Sequence, residues 1–279
     1  VFKDLSQVKM RIAFCFPDVY EIGMSNLGMR ILCGCFNEIP EVWCERVYAP
    51  WTDMAAEMEK RGIPLFTHES GDPVGEFDMV AFTMQYELCY TTMVKMLLLA
   101  RISLHAADRG DEDPIVIAGG PCSYNAEPVA DFVDIFSIGE GEEALAELAR
   151  LYMKMKDDGT YTREKFLFAA ATELNGFYVP SLYTVTYHDD GTIASITPKD
   201  PRVPAKVTKR VVQDIDHCYL PKNPVIPYIE TVQDRVTIEV FRGCIRGCRF
   251  CQAGFVTRPV RERSPELLNE LAKTQIEGS

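Results

Sequence analysis

Short apolar runs alternate with longer amphipathic segments through the first half of this chain, and that rhythm constrains the fold most. Val8 to Phe16, Val42 to Tyr48, Met79 to Met84 and Ile115 to Ala118 read as strands, and a fifth lies within Phe132 to Ile138. Helices are predicted over Ser25 to Asn37, with Ser25 as the cap, and over Thr52 to Arg61, closed by Gly62. Two more run from about Cys89 to Ala100, and from Gly139-Glu140-Gly141-Glu142 to about Lys156. Alternation of strand and helix implies a parallel sheet with helices on both faces.

Five such units fit an α/β, flavodoxin-like doubly wound domain over residues 1–156. The pattern then changes. A short helix, Arg163 to Glu173, precedes a hairpin in which Ser181 to His188 and Thr192 to Thr197 flank the turn Asp189-Asp190-Gly191. Pro198, Pro201, Pro204, Pro221, Pro224 and Pro227 mark an extended connector, so residues 157–233 read as a linking segment. Val236 to Phe241 is predicted as a strand that feeds a cysteine-rich loop. Ser264-Pro265-Glu266 then opens a helix that runs to the end of the chain.

Composition excludes several classes. Hydrophobic content of 47% and charged content of 25% are those of an ordinary globular protein, and 279 residues allow one large or two medium domains. No apolar run approaches the ~20 residues of a membrane span, and Met93 to Ala100 is interrupted by Lys95. The opening Val1-Phe2-Lys3-Asp4 lacks the order of a signal peptide. A chain that starts on Val1 is expected to be a fragment or a processed product. The net charge of −12 argues against a general nucleic-acid binder. Arg242, Arg246, Arg249, Arg258, Arg261 and Arg263 nevertheless cluster, opposed locally only by Glu262. Two readings stand side by side: pairing with the acidic remainder of the chain, or support for an anionic group. Ten cysteines without a secretion signal point to the cytoplasm. Cys15, Cys33, Cys35, Cys44, Cys89, Cys122 and Cys218 are scattered and read as small buried apolar residues.

The other three form C-x3-C-x2-C: Cys244, Cys248 and Cys251, with Phe250 before the last. Thiolates so closely spaced can hold three irons of a [4Fe–4S] cluster and leave the fourth open. A structural zinc site wants four ligands, and the nearest upstream candidates, His217 and Cys218, fall in the connector. A ferredoxin cubane wants a fourth cysteine, and none follows Cys251.

This motif after a strand resembles the radical S-adenosylmethionine superfamily. The fuller strings Phe241-Arg242-Gly243-Cys244, Cys251-Gln252-Ala253-Gly254 and Arg258-Pro259-Val260-Arg261-Glu262-Arg263-Ser264-Pro265 resemble its branch with an N-terminal cobalamin-binding-like domain, an iron–sulfur oxidoreductase type. So do Phe16-Pro17-Asp18-Val19-Tyr20-Glu21-Ile22-Gly23-Met24-Ser25, Ala49-Pro50-Trp51, Gly119-Gly120-Pro121 and Gly139-Glu140-Gly141-Glu142. The resemblance implies that Cys244, Cys248 and Cys251 hold a [4Fe–4S] cluster. S-adenosylmethionine would chelate the fourth iron and be cleaved reductively to a 5′-deoxyadenosyl radical. A flavodoxin- or ferredoxin-type reductant would supply the electron. Phe250 would lie near the adenine, or pack under the loop.

Ligands of doubly wound sheets sit at the carboxyl ends of the strands. Gly119, Gly120, Gly139 and Gly141 fall there and would admit a flat cofactor or a phosphate-bearing tail. The branch often carries D-x-H-x-x-G after the first strand, its histidine ligating cobalt. Here Asp18, Tyr20 and Gly23 keep the frame, with Tyr20 in place of the histidine. Either cobalamin binds without that ligand, or the fold persists without the cofactor. Gln85, Tyr86 and Glu87 share the edge, as cofactor contacts or as an acidic helix start. His68, His105, His188 and His217 form no motif. Residues 234–279 supply one strand, a loop and one helix, the first βα unit of a truncated radical SAM (β/α) barrel. The resemblance therefore implies the front portion of an enzyme, inactive alone. A cobalamin- or cluster-binding module without catalysis of its own is the other class.

Overall fold

The computed structural model describes residues 2–221, 225–233 and 235–277. Val1, the connector proline Pro224 and the end of the last predicted helix, Gly278 and Ser279, lie outside them. One six-stranded sheet organises the first part of the chain. Its strands are β1 (Met10–Phe16), β2 (Val42–Tyr48), β3 (Met79–Thr83), β4 (Ile115–Gly119), β5 (Ile135–Ser137) and β6 (Phe177–Tyr178), in the order β2-β1-β3-β4-β5-β6. The first five are parallel; β6 pairs antiparallel with β5. Central β1 sets Ile12 opposite both Cys44 and Met79.

Six helices belong to this layer: α1 (Tyr20–Gly23), α2 (Leu27–Asn37), α3 (Thr52–Arg61), α4 (Tyr90–Leu99), α5 (Gly141–Asp157) and α6 (Arg163–Glu173). The predicted cap of α2 shifts by one: Asn26, not Ser25, accepts the Met29 amide at 2.8 Å. Ser25 instead donates to the Glu21 carbonyl at 3.0 Å. Gly62 ends α3 at φ +66°, a conformation that costs glycine little. Glu142 and Glu143 in the first turn of α5, with Lys154 and Lys156 in its last, complement the helix dipole.

Side-chain alternation along the strands produces two cores. Met10, Ile12, Phe14 and Phe16 face one way and pack with Phe36, Leu148 and Phe166. Ala13 and Cys15 face the other way and pack with Met58, Met93 and Leu97. Burying each large side chain contributes about 1.5–3 kcal/mol, so both faces of the sheet are committed to helices. The layer extends past residue 156, since α6 packs on α5 and β6 closes the edge beside β5. Two residues in antiparallel pairing are too short to leave a periodic signal in sequence.

Beyond the sheet, β7 (Tyr183–Tyr187) and β8 (Ile193–Pro198) form the expected hairpin around Asp189-Asp190-Gly191. The predicted strand Val236 to Phe241 is corrected. Only β9 (Phe241–Arg242) is extended and paired, antiparallel to β10 (Arg261–Glu262). Apolar alternation favours a strand, but a strand also needs a hydrogen-bonding neighbour along its length. A short α7 (Ala253–Val256) lies within the cysteine segment, and α8 (Pro265–Glu277) starts with proline at its first position, as predicted.

Candidate functional site

The carboxyl ends of β3, β4 and β5 open into a cavity of about 450 Å³. Its floor includes Phe14, Ile31, Ala81 and Ile117. Gly119, Gly120, Gly139 and Gly141, the four glycines predicted for this edge, all line it. The opposite wall comes from the roots of the cysteine loop: Phe241 to Gly243 on one side, Val256 to Arg258 on the other. The cavity thus joins the α/β layer to the segment that carries the thiols.

Close backbone packing explains two of these glycines. Gly120 adopts φ +97°, and a Cβ there would lie 2.7 Å from the Met84 carbonyl oxygen. Gly139 adopts φ +105° and pairs with Arg210: Arg210 N donates to Ile138 O at 2.8 Å, and Glu140 N donates to Arg210 O at 3.0 Å. The 209–212 strand-like segment is laid on the sheet edge by these bonds.

Charged side chains fasten the cysteine loop to the same edge. Arg242 pairs with Glu142 at 2.5 Å and with Glu239 at 2.8 Å. Arg261 grips Glu140 through two bonds of 2.7 and 2.5 Å. Glu140 also accepts the Val212 amide at 2.6 Å. Arg263, its side chain fully buried, pairs with Glu239 and donates to the Ile215 carbonyl. Lys209 donates to the carbonyls of Val256, at 2.9 Å, and Arg258. Tyr124 reaches Val256 O at 3.1 Å. For Arg242, Arg261 and Arg263, therefore, the arginine cluster pairs with carboxylates of the chain. Among the described residues, Arg246 and Arg249 make no ion pair and are exposed.

Burial alone would raise the Glu140 carboxyl, but the Arg261 hydrogen bonds, the Val212 amide and Arg242 outweigh it, and the net shift is downward from 4.5. Glu239 is likewise lowered: Arg242 and Arg263 overcome its burial. A depressed carboxylate stabilises the folded arrangement above its unfolded pKa, and that stability is lost as pH falls through the folded value. Acidification through the lowered range of these carboxylates is expected to loosen residues 239–263 before the sheet. Amide exchange followed from neutral to acid pH checks this. Protection of 239–263 that fell only together with the sheet would contradict it.

Cys244, Cys248 and Cys251 lie on one loop between β9 and α7. Cys248 is exposed; Cys244 and Cys251 are half-buried. Gly243, at φ +94°, sits where a Cβ would come within 2.6 Å of the Pro259 carbonyl oxygen. Gly247 adopts φ +63°, and Cys251 N donates to Cys248 O at 3.0 Å, so the chain turns tightly between thiols. Arg258 Nε donates to Cys244 O at 3.4 Å. Among the described residues, no three His, Cys, Asp or Glu side chains converge on a metal-sized site, so the loop carries the thiols without drawing them together. Phe250 is 93% exposed, which removes the reading that it packs under the loop.

Asp18, Tyr20 and Gly23 stand apart from the cavity lining. Asp18 accepts a hydrogen bond from the Tyr86 hydroxyl. Tyr20 packs against Tyr48 and His68 at ring-centre distances of 5.2 and 5.1 Å, and its hydroxyl accepts the Tyr228 amide at 3.0 Å. Gly23 makes room for the Tyr48 ring, which a Cβ would meet at 2.4 Å. Gln85 lines the cavity and donates to Thr83 at 2.6 Å; Glu87 opens a single helical turn before α4. Five of the seven scattered cysteines are buried as expected. Cys35 and Cys218 are half-buried, and Cys218 lies 3.6 Å from an Arg263 nitrogen. Glu140, Glu142, Glu239, Lys209 and Tyr124 escaped the sequence reading as site residues. Glu140 and Glu142 stood in a motif already noticed for its glycines, while their partners lie about a hundred residues downstream.

The family model for radical SAM proteins, N-terminal region, matches residues 28–180, more than half of the chain. The chain belongs to that family, and membership implies an iron–sulfur cluster and S-adenosylmethionine as cofactors. The matched region covers the sheet from α2 to β6 and stops before the cysteine loop. The uncharacterized protein MJ0966 of Methanocaldococcus jannaschii is 23% identical over 266 residues, covering 95% of this chain and 46% of its own length. The chain thus spans about half the length of that curated relative. A solved radical S-adenosylmethionine methyltransferase, TsrM from Kitasatospora setae, with tryptophan substrate and a SAM analog bound, aligns with a TM-score of 0.46 and 11% identity. That alignment covers 95% of this chain and 44% of the other. Among the described residues, no helix is long and apolar enough to cross a membrane.

Proposed function

We propose that this chain is the front portion of a radical S-adenosylmethionine enzyme in which Cys244, Cys248 and Cys251 hold a [4Fe–4S] cluster. One observation carries the reading: three soft donors lie within eight residues of one loop, in a chain whose sheet belongs to the radical SAM N-terminal family. The donor chemistry fits, since three thiolates satisfy three irons and leave a coordination position for the amino acid end of the nucleoside. When bound and reduced, such a cluster supplies the electron that cleaves a sulfonium carbon–sulfur bond.

The chain's own residues have narrower tasks. Gly243 and Gly247 bend the loop so that the thiols can be brought to one centre. Arg242 and Arg261 anchor its two roots. Phe250, exposed beside Cys251, is available to stack on an adenine. β9, the cysteine loop and α8 are proposed as the first strand–loop–helix unit of a barrel. The order β2-β1-β3-β4-β5 supports a flavodoxin-like doubly wound unit. The sheet layer through β6 is the proposed accessory portion, the segment from there to residue 233 the connecting portion, and residues 234–279 the catalytic portion. A cytoplasmic flavodoxin or ferredoxin is the proposed reductant, and methyl transfer or a radical rearrangement the reaction type.

A corrinoid in the accessory unit is the second reading, favoured by the glycines that line the cavity. Against a cobalt ligand, Tyr20 is occupied by Tyr48, His68 and the Tyr228 amide. That supports retention of the fold without the cofactor. Corrinoid extracted from protein grown with cobalamin would overturn this preference; its absence is expected.

Activity is tested on the full-length protein after anaerobic reconstitution. Reductive cleavage of S-adenosylmethionine is expected, and Cys248→Ala should abolish it. A cluster that forms without any cleavage would overturn the enzyme reading in favour of a binding module.

A further inference from the structure

The carboxylates of Gly139-Glu140-Gly141-Glu142 meet arginines from both roots of the cysteine loop. Arg242 stands two residues before Cys244 and pairs with Glu142 at 2.5 Å, with Glu140 at 3.7 Å and with Glu239 at 2.8 Å. Arg261 stands ten residues after Cys251 and takes both oxygens of Glu140. Arg242 and Arg261 are themselves backbone partners in the β9–β10 pair that closes the base of the loop. Arg263 completes the set through Glu239. Three carboxylates therefore balance three guanidinium groups, with little solvent access: 12% for the Arg242 side chain and 8% for Glu142. Charged pairs this sheltered are screened weakly, and removing one partner leaves the other uncompensated.

We infer that Glu140 and Glu142 are positioning residues for the iron–sulfur cluster: the accessory sheet sets the geometry and the local charge of the cysteine loop through Arg242 and Arg261. The inference rests on the cluster reading above, but it assigns a role to residues of a different part of the chain. Every partner in this clamp is a side chain of the chain itself. It acts by fixing the loop's base, and by keeping the charge two residues from Cys244 neutralised. Net charge and hydrogen bonding near a cluster are established levers on its reduction potential.

Full-length protein carrying Glu142→Gln, Arg242→Gln or the charge-conserving Glu142→Asp tests this in two ways. In cluster-free protein, amides of residues 241–263 in Glu142→Gln should exchange about tenfold faster, the effect of losing one charge-assisted hydrogen bond, while β1 and β3 stay protected. Glu142→Asp, which keeps the charge that faces Arg242, should retain most of that protection. In reconstituted protein, Glu142→Gln removes one negative charge from the balanced set and should raise the midpoint potential; Arg242→Gln removes one positive charge and should lower it. A merely structural role would not move the potential in opposite directions. Unchanged exchange in 241–263 would overturn the inference, as would potentials that stay fixed or shift the same way. If wild-type protein takes up no cluster dependent on Cys248, the cluster reading fails, and the exchange measurement still judges the clamp.

Discussion

Asp134→Ala is expected to lower stability by about 3–5 kcal/mol, a large share of what a single domain has. Asp134 immediately precedes β5, at the amino end of that strand, whereas the cavity lies at the carboxyl ends. One carboxylate oxygen accepts from Arg109 at 2.9 Å, Arg163 at 2.6 Å and the Val116 amide at 2.7 Å. The two arginine side chains are 0% and 7% exposed. Each is fixed further by carbonyls: Ser103, Leu104 and Phe132 for Arg109; Gly110, Asp113 and Pro114 for Arg163. Burial holds the Arg109 guanidinium below its usual range even with Asp134 beside it. Removing the carboxylate would leave two buried cations sharing no anion. Asp134→Asn preserves shape and one acceptor, so it should cost less. Urea unfolding of the three proteins checks the order. A loss under about 1 kcal/mol for Asp134→Ala would contradict the role assigned to it.

Gly139→Ala should cost about 2 kcal/mol or more and detach the segment that roofs the cavity. Two penalties combine. The φ of +105° disfavours any side chain, and the added Cβ would stand 2.2 Å from the Arg210 oxygen and 2.6 Å from its nitrogen. Both are backbone atoms, so neither can swing aside. The bonds Arg210 N to Ile138 O and Glu140 N to Arg210 O would be strained first, and with them the positions of Lys209 and Val212. Gly191 supplies the control, with φ +82° in the hairpin turn and nothing within 4 Å of the point where a Cβ would stand. Gly191→Ala should carry only the backbone penalty, about 1 kcal/mol. Paired unfolding curves, with amide exchange over residues 209–212, separate the two. Equal costs for the two variants would contradict the close-packing account.

Much of the sheet could be read from local pattern. β2, α3 and α6 appear at their predicted residues because apolar periodicity, Gly62 and the helix start at Arg163 all act locally. The cysteine triplet was equally visible, since its chemistry is written in eight consecutive positions. What stayed hidden depends on distant partners. Val236 to Val240 has the alternation of a strand, yet pairing decides, and only Phe241 and Arg242 find a ladder. β6 is two residues long and owes its existence to the edge of β5. Glu140 and Glu142 looked like a glycine-rich turn with incidental acids until Arg242 and Arg261 were placed beside them. Tyr20 kept the sequence frame of a cobalt-ligand position, but its ring partners Tyr48 and His68 come from other elements.

The central claim is that Cys244, Cys248 and Cys251 bind one [4Fe–4S] cluster. Its most direct test is iron and acid-labile sulfide per chain after anaerobic reconstitution of the full-length protein, alongside Cys244→Ala, Cys248→Ala and Cys251→Ala. About four irons and four sulfides per wild-type chain are expected, falling sharply in each variant, with Cys218→Ala unaffected. Iron that stays at the wild-type level in all three variants, or a wild-type protein that takes up none, would contradict the account.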